Sequence, residues 1–338
     1  MTVIALPSAL APADQPAIAT LSLGSAREVW AERRRALERS GRSSSPEGRH
    51  GGWQNCLLRA AVFGFAWAAR SIGFHARGYH NALSPKLIER EFSFFDLPAA
   101  FDGYRILQIS DPHFDCMPAL AVTARRLVSG VDVDLVAITG DILGSPRAPV
   151  AHSTIPLADV LTGPKVRDRI IAVLGNHDPA GMVDALEQIG ITPLINESLV
   201  IERGGDRLVV TGLDDVHRFY TPAAKRALHD APGGFRIALV HSAEVADHAA
   251  AAGFSFYLSG HTHGGQICFP NGRPLFTRLR RCHFGARGEW RAGVMIGYTS
   301  SGLGTGEVPL RFNCPGEIAV ITLRCGTTGS NRSKMRPR

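Results

Sequence analysis

A chain of 338 residues, 45% hydrophobic and 20% charged, is long enough for one large domain of two or more packed layers with flanks to spare, and it excludes wholesale disorder. Its net charge of +7 sits mainly at the ends: residues 1–50 carry seven Arg against five acids, and residues 326–338 carry four basic residues and no acid. A nucleic-acid enzyme would concentrate basic and aromatic residues along its groove, so the nearly neutral body disfavours nucleic acid as the substrate.

In chain order, residues 1–50 are rich in Ala, Ser, Pro and Arg and are expected to form a disordered basic region, with one short helix over 26–38 as its only structure. Arg33-Arg34-Arg35 resembles a twin-arginine signal, but the apolar stretch begins only at Leu57, beyond a polar linker over 42–48. Export is therefore disfavoured and a cytoplasmic protein is expected. Residues 51–78 read as a short apolar helix, with a core over 60–69 between Arg59 and Arg70. That core is too short to span a bilayer, which needs about twenty residues. It either lies in the interface of the inner membrane with Phe63, Phe65 and Trp67 sunk, or packs on the following domain. Both readings stay open.

Residues 79–325 form the main domain, and 326–338 a disordered basic tail. The alternation over 79–97 predicts a half-buried edge strand. Beyond it strand, loop and helix succeed one another, with helices expected over 119–128, 180–189, 222–229 and 243–252 and late strands over 294–297 and 318–323. Six dispersed cysteines without a C-x-x-C pair argue against a structural zinc site or a disulfide scaffold and for a reducing compartment. Cys116 and Cys268 lie near the motifs below, with no role assigned.

Five apolar runs end abruptly in metal-binding residue types. The run over 106–110 leads into Asp111-Pro112-His113, that over 135–139 into Gly140-Asp141, that over 170–174 into Gly175-Asn176-His177-Asp178, that over 237–240 into His241, and that over 254–258 into the Gly260-His261-Thr262-His263-Gly264-Gly265-Gln266 turn. Chemistry in α/β folds gathers at the carboxyl ends of buried strands, so the five endings are expected to meet on one sheet edge. A mixed Asp, Asn and His set without thiolate suits Mn²⁺, Fe or Zn²⁺.

The order D-x-H, G-D, G-N-H-D, H, G-H-T-H resembles the calcineurin-like metallophosphoesterase superfamily from about 101 to 323. Phe101-Asp102-Gly103, the His-Gly-Gly-Gln ending and Gly302-Leu303-Gly304 before Pro309-Leu310-Arg311-Phe312 are similar to its bacterial YaeI- and YkuE-like phosphodiesterase branch. The resemblance implies a four-layer α-β-β-α sandwich of two mixed sheets flanked by helices. It implies two divalent ions, one held by Asp111, His113, Asp141 and His263 and the other by Asp141, Asn176, His241 and His261, with Asp141 as the bridge. It makes His177 the donor to the leaving-group oxygen, with Asp178 fixing its ring. A metal-bridging hydroxide would attack a phosphodiester or pyrophosphate in line; family analogy extends the substrate to a lipid or cell-envelope nucleotide-sugar. The alternatives are a nuclease or phosphomonoesterase of the same superfamily and a metal-binding protein without turnover. Pro112 departs from the Leu more common in the family and stiffens its loop without removing a ligand. Arg311 could meet a substrate phosphate or form a structural ion pair. Oligomeric state is not legible.

Overall fold

Side chains alternate across a strand, so a strand buried on both faces reads as an unbroken apolar run; the chain uses such runs to build two stacked sheets. The computed structural model describes residues 23–40, 60, 63–65, 67, 70–71, 73–277 and 279–326. In chain order it contains α1 (Leu23–Ser40), α2 (Phe74–Ala82), β1 (Lys86–Phe94), β2 (Arg105–Ile109), α3 (Ala119–Val128), β3 (Asp132–Thr139), α4 (Ala151–Leu161), β4 (Lys165–Val173), α5 (Met182–Gln188) and β5 (Thr192–Pro193). There follow β6 (Glu197–Arg203), β7 (Asp206–Gly212), α6 (Pro222–His229), β8 (Phe235–Leu239), α7 (Ala246–Ala251), β9 (Phe256–Ser259), β10 (Gly288–Ala292), β11 (Met295–Thr299) and β12 (Glu317–Cys325).

One sheet has the order β1-β12-β2-β3-β4-β5 and the other β10-β11-β9-β8-β7-β6. Both are mixed: β2, β3, β4 and β5 run parallel while β12 opposes β2, and β7, β8, β9 and β11 run parallel while β6 and β10 oppose their neighbours. Alternate residues of each strand explain the layers. Ile106, Leu135, Ala137, Ile171 and Val173 face Leu208, Val210, Ile237, Leu239, Phe256 and Leu258 in the core between the sheets. Their sequence neighbours Leu107, Ile109, Val136, Ile138 and Ala172 pack outward against Leu120, Ala124, Leu157 and Met182 of α3, α4 and α5. On the other outer face Ala238, Val240 and Tyr257 meet Ala224 and Leu228 of α6 and Ala246 and Ala249 of α7. The expected α-β-β-α sandwich is the fold.

Three flanking expectations change. The helix expected over 26–38 is present but longer, residues 23–40 forming α1, and it docks on the domain through Arg27, Trp30, Arg34 and Glu38. That docked stripe is polar, so apolar periodicity could not reveal it. The boundary drawn between 78 and 79 falls inside α2, and the strand expected from 79 begins at Lys86. Gly78 of α2 packs so closely on Phe312 that a Cβ there would meet its ring at 2.6 Å, which favours a packed helix for this end of 51–78. Most of the apolar stretch over 51–72 lies outside the described residues, as do 1–22 and 327–338. Among the described residues no helix is long and apolar enough to cross a membrane.

Candidate metal centre

The candidate ligands follow the ends of five parallel strands. Asp111 and His113 follow β2, Asp141 follows β3, Asn176 follows β4, His241 follows β8, and His261 and His263 follow β9. The ends of both sheets meet here, and all seven residues come together. The donor atoms of Asp111, His113 and His263 lie within 4.8 Å of one another, and so do those of Asp141, His241 and His261; all six residues are buried. Neither group contains a cysteine.

Turning from strand to site within two to four residues forces unusual backbone. Asp111, His113, Asp141, His261 and His263 all adopt φ between 45° and 71°, a region that non-glycine residues rarely enter and that clusters where function over-determines the fold. Two glycines make room: a Cβ on Gly175 would lie 2.1 Å from Asp141 Oδ1, and one on Gly260 would lie 1.7 Å from Ser110 Oγ.

Backbone carbonyls set the rings. His113 Nδ1 donates to Leu143 O at 3.0 Å and His241 Nδ1 to Thr139 O at 2.8 Å, which leaves each Nε2 as a lone-pair donor aimed inward, the usual arrangement behind a metal-binding histidine. Both Nε2 atoms approach one atom, Asp141 Oδ2, at 3.9 Å from His113 and 3.3 Å from His241. Asp141 Oδ1 is occupied by the His177 amide at 2.9 Å. Asp111 Oδ2 accepts from Ser110 Oγ and the His261 amide, while its Oδ1 stands 3.7 Å from His263 Nε2. Asp111 Oδ1 and Asn176 Oδ1 are buried and make no hydrogen bond among the described residues. Buried polar atoms are normally paired, so orphaned oxygens beside inward-facing imidazoles fit a pair of cations.

The electrostatics agree. Burial, reinforced by the charge of Asp141, pushes the Asp111 carboxyl up to about 6 against the opposing pull of His241. Burial pushes His113 down to about 4. Burial disfavours charge on His241 too, yet without a cation the Asp141 carboxylate holds its pKa up at about 10, favouring a proton on Nε2 that a bound cation would displace. Carboxylates crowded out of water are what a bound cation would relieve.

His177 sits half-buried at the rim, its Nδ1 donating to Gly144 O at 2.5 Å. Asp178 does not hold that ring, contrary to the expectation from sequence: its carboxylate accepts from Leu143 N at 2.9 Å and Gly175 N at 2.8 Å, and so fixes the loop rather than the imidazole. Asp115, overlooked in the sequence, stands one step behind His177. It accepts from Gly144 N at 2.6 Å, Ser145 N at 2.9 Å and Ser153 Oγ at 3.1 Å. Arg311 is fully buried, and its guanidinium is taken up by the carbonyls of Ser301, Gly302, Gly304, His263 and Cys314. His217 belongs to neither donor group and lies beside His261 with ring centroids 4.6 Å apart.

Asp115 supports a pH prediction. Burial raises its pKa, but the Gly144 and Ser145 amides and the Ser153 hydroxyl outweigh burial and hold it below the usual carboxylate range. A depressed folded pKa gives stability that is present above the ordinary carboxylate pKa and lost as pH falls through the folded value. Asp115→Asn is expected to lower the melting temperature at neutral pH by no more than about 1–2 °C, because solvent screens this half-exposed carboxylate and leaves well under about 1 kcal/mol. The gap to the parent should close on acidification. A gap constant with pH would show that the carboxylate charge plays no part.

The pocket over the centre is lined by His113, Asp141, Asn176, His177, His261 and His263, with Gln266, Ile267, Phe276, Glu307 and Val308 on its wall.

A sequence profile of the calcineurin-like phosphoesterase family matches residues 104–265. The chain is 31% identical to the uncharacterized metallophosphoesterase YkuE of Bacillus subtilis, over 73% of this chain and 89% of that protein. It is 26% identical to the phosphodiesterase YaeI of Escherichia coli, over 76% of this chain and 95% of that protein. Among solved structures, the phosphopantetheinyl hydrolase PptH of Mycobacterium tuberculosis aligns with a TM-score of 0.38 at 11% identity, over 61% of this chain and 90% of that one.

Proposed function

The chain belongs to the calcineurin-like phosphoesterase family and is a metallophosphoesterase, and from that premise we propose that it hydrolyses a phosphodiester or pyrophosphate at a two-metal centre formed by the seven residues above. The observation that carries this reading is the convergence of His113 Nε2 and His241 Nε2 on Asp141 Oδ2, which supports that carboxylate as the ligand shared by both halves. Asp111, His113, Asp141 and His263 would hold one ion, and Asp141, Asn176, His241 and His261 the other, as Mn²⁺, Fe or Zn²⁺. When bound, the two ions would supply an activated water as nucleophile and neutralise charge on the phosphoryl oxygens.

The protein's own groups do the rest. The Gly144 carbonyl fixes the His177 ring with Nδ1 protonated, and His177 lines the pocket, from which it delivers a proton to the departing oxygen. Asp178 acts through the backbone, tying the strand end at Gly175 to Leu143.

Ile267, Phe276 and Val308 make part of the pocket wall apolar, which supports a substrate with an apolar group beside its phosphate, as in a lipid. Phe63, Phe65 and Trp67 are exposed, and the Phe65 ring lies 5.8 Å from that of Phe312, which packs on Val308 and Ile267. This arrangement favours peripheral attachment to a membrane surface near the pocket. The near-neutral body disfavours a nuclease.

Metal-free protein given Mn²⁺ is expected to cleave bis(p-nitrophenyl) phosphate, to stop on chelation, and to act on lipid phosphodiesters presented in vesicles. Two tightly bound metals without any turnover would favour the non-catalytic alternative. Turnover confined to water-soluble diesters would remove the lipid reading.

A further inference from the structure

We infer that Arg34, in the helix that precedes the domain, is a positioning residue for the loop that carries Asn176 and His177. Of the consecutive Arg33, Arg34 and Arg35, only Arg34 is buried, at 2% exposure. Arg27, Trp30, Arg34 and Glu38 recur at the spacing of one helix face, and that face of α1 meets the domain. One arm of the Arg34 guanidinium pairs with the buried Asp214, whose other oxygen accepts from Trp30 Nε1 at 2.6 Å. Its second arm donates to Gly175 O at 2.9 Å and to Asp178 O at 2.6 Å. The plane stacks on Phe219, 3.9 Å from the ring centroid.

The two carbonyls that Arg34 grips are those immediately before and after Asn176-His177. One guanidinium nitrogen therefore holds both ends of a four-residue loop whose middle supplies a candidate ligand and the proton donor, while the other arm is anchored on Asp214. Lys would not reproduce the whole clasp, because its single ammonium cannot keep one arm on Asp214 while a second, rigidly placed arm meets both carbonyls. Nearby, Glu38 Oε1 accepts the Ala180 amide at 2.8 Å, so the clasp extends past the loop. The matching family profile begins at residue 104, so α1 lies outside the segment that it covers.

The inference rests on the metal-centre reading above, and Mn²⁺ binding separates the two. Parent protein is expected to bind two Mn²⁺; failure to do so would sink the metal-centre reading itself. If parent binds two, folded Arg34→Ala should bind one of them about 10- to 100-fold more weakly and lose kcat on a diester to a similar extent, as for other groups that orient ligands. Guanidinium ion at a sub-denaturing concentration should restore part of both losses by filling the vacated site, and urea at the same concentration should not. Arg27→Ala breaks contacts of the same helix to Glu187, Glu197 and Pro193 O without touching the loop, so it should lower the melting temperature and leave Mn²⁺ affinity alone. If Arg34→Ala does not fold, Arg34→Lys carries the test, with a smaller loss in the same direction. Parent-like Mn²⁺ affinity in the folded Arg34 variant, or an equal loss in Arg27→Ala, would overturn the inference.

Discussion

Asp141→Asn is expected to reduce turnover by more than any other single ligand change, on the order of 10³-fold or beyond, given that groups merely orienting metal ligands already cost about 10–100-fold. The geometry singles out this residue. His113 and His241 come from strands of different sheets, yet both direct Nε2 at Asp141 Oδ2, and the other oxygen holds the His177 amide. Losing the charge therefore weakens both halves of the centre together, whereas Asp111→Asn removes a candidate ligand charge from the half shared with His113 and His263 alone. The fold should survive, since Asn has nearly the same volume and its Oδ1 can still accept from His177 N. Metal content and kcat measured on the same purified sample check this; two tightly held metals with near-parental rate in Asp141→Asn would remove Asp141 as the shared ligand.

The second large effect is selective. His177→Ala should slow hydrolysis of an ester with a poor leaving group by about 10²–10⁴-fold, the usual worth of general-acid help, while an activated nitrophenyl ester suffers little because its leaving group departs without a proton. Metal content should not change, because the bond to Asp141 comes from the backbone of residue 177, which Ala retains. The ring itself is tethered through Nδ1 to the Gly144 carbonyl. Equal losses on both esters would point to a general disturbance of the site and end the leaving-group role.

The candidate ligands were legible in the sequence because each is written in residue type. An apolar run that stops at Asp, Asn or His marks a strand end, and strands buried on both faces leave little else for such a run to be. The same logic gave β2, β3, β4, β8 and β9 and placed their ends together. It did not find α4 or β6, whose half-exposed residues lack that contrast, nor the buried β7, which ends in Thr211-Gly212 rather than in a metal-binding residue type.

What only the tertiary structure decided is the second layer of the centre. The groups that orient His113, His241 and His177 are the carbonyls of Leu143, Thr139 and Gly144, and a carbonyl is the same in every residue, so nothing in the sequence marks it. Asp178 looked like the partner of the adjacent His177, but the strand end turned its carboxylate to two amides instead. Arg311 had the charge to meet a phosphate, and packing surrounded it with carbonyl oxygens. Arg34 is indistinguishable from Arg33 and Arg35 until the phase of α1 turns it toward Asp214, 180 residues away in the chain. Residue identity fixed which side chains can bind a metal; long-range packing fixed where each one points, because orientation is set by contacts between segments that share no local pattern.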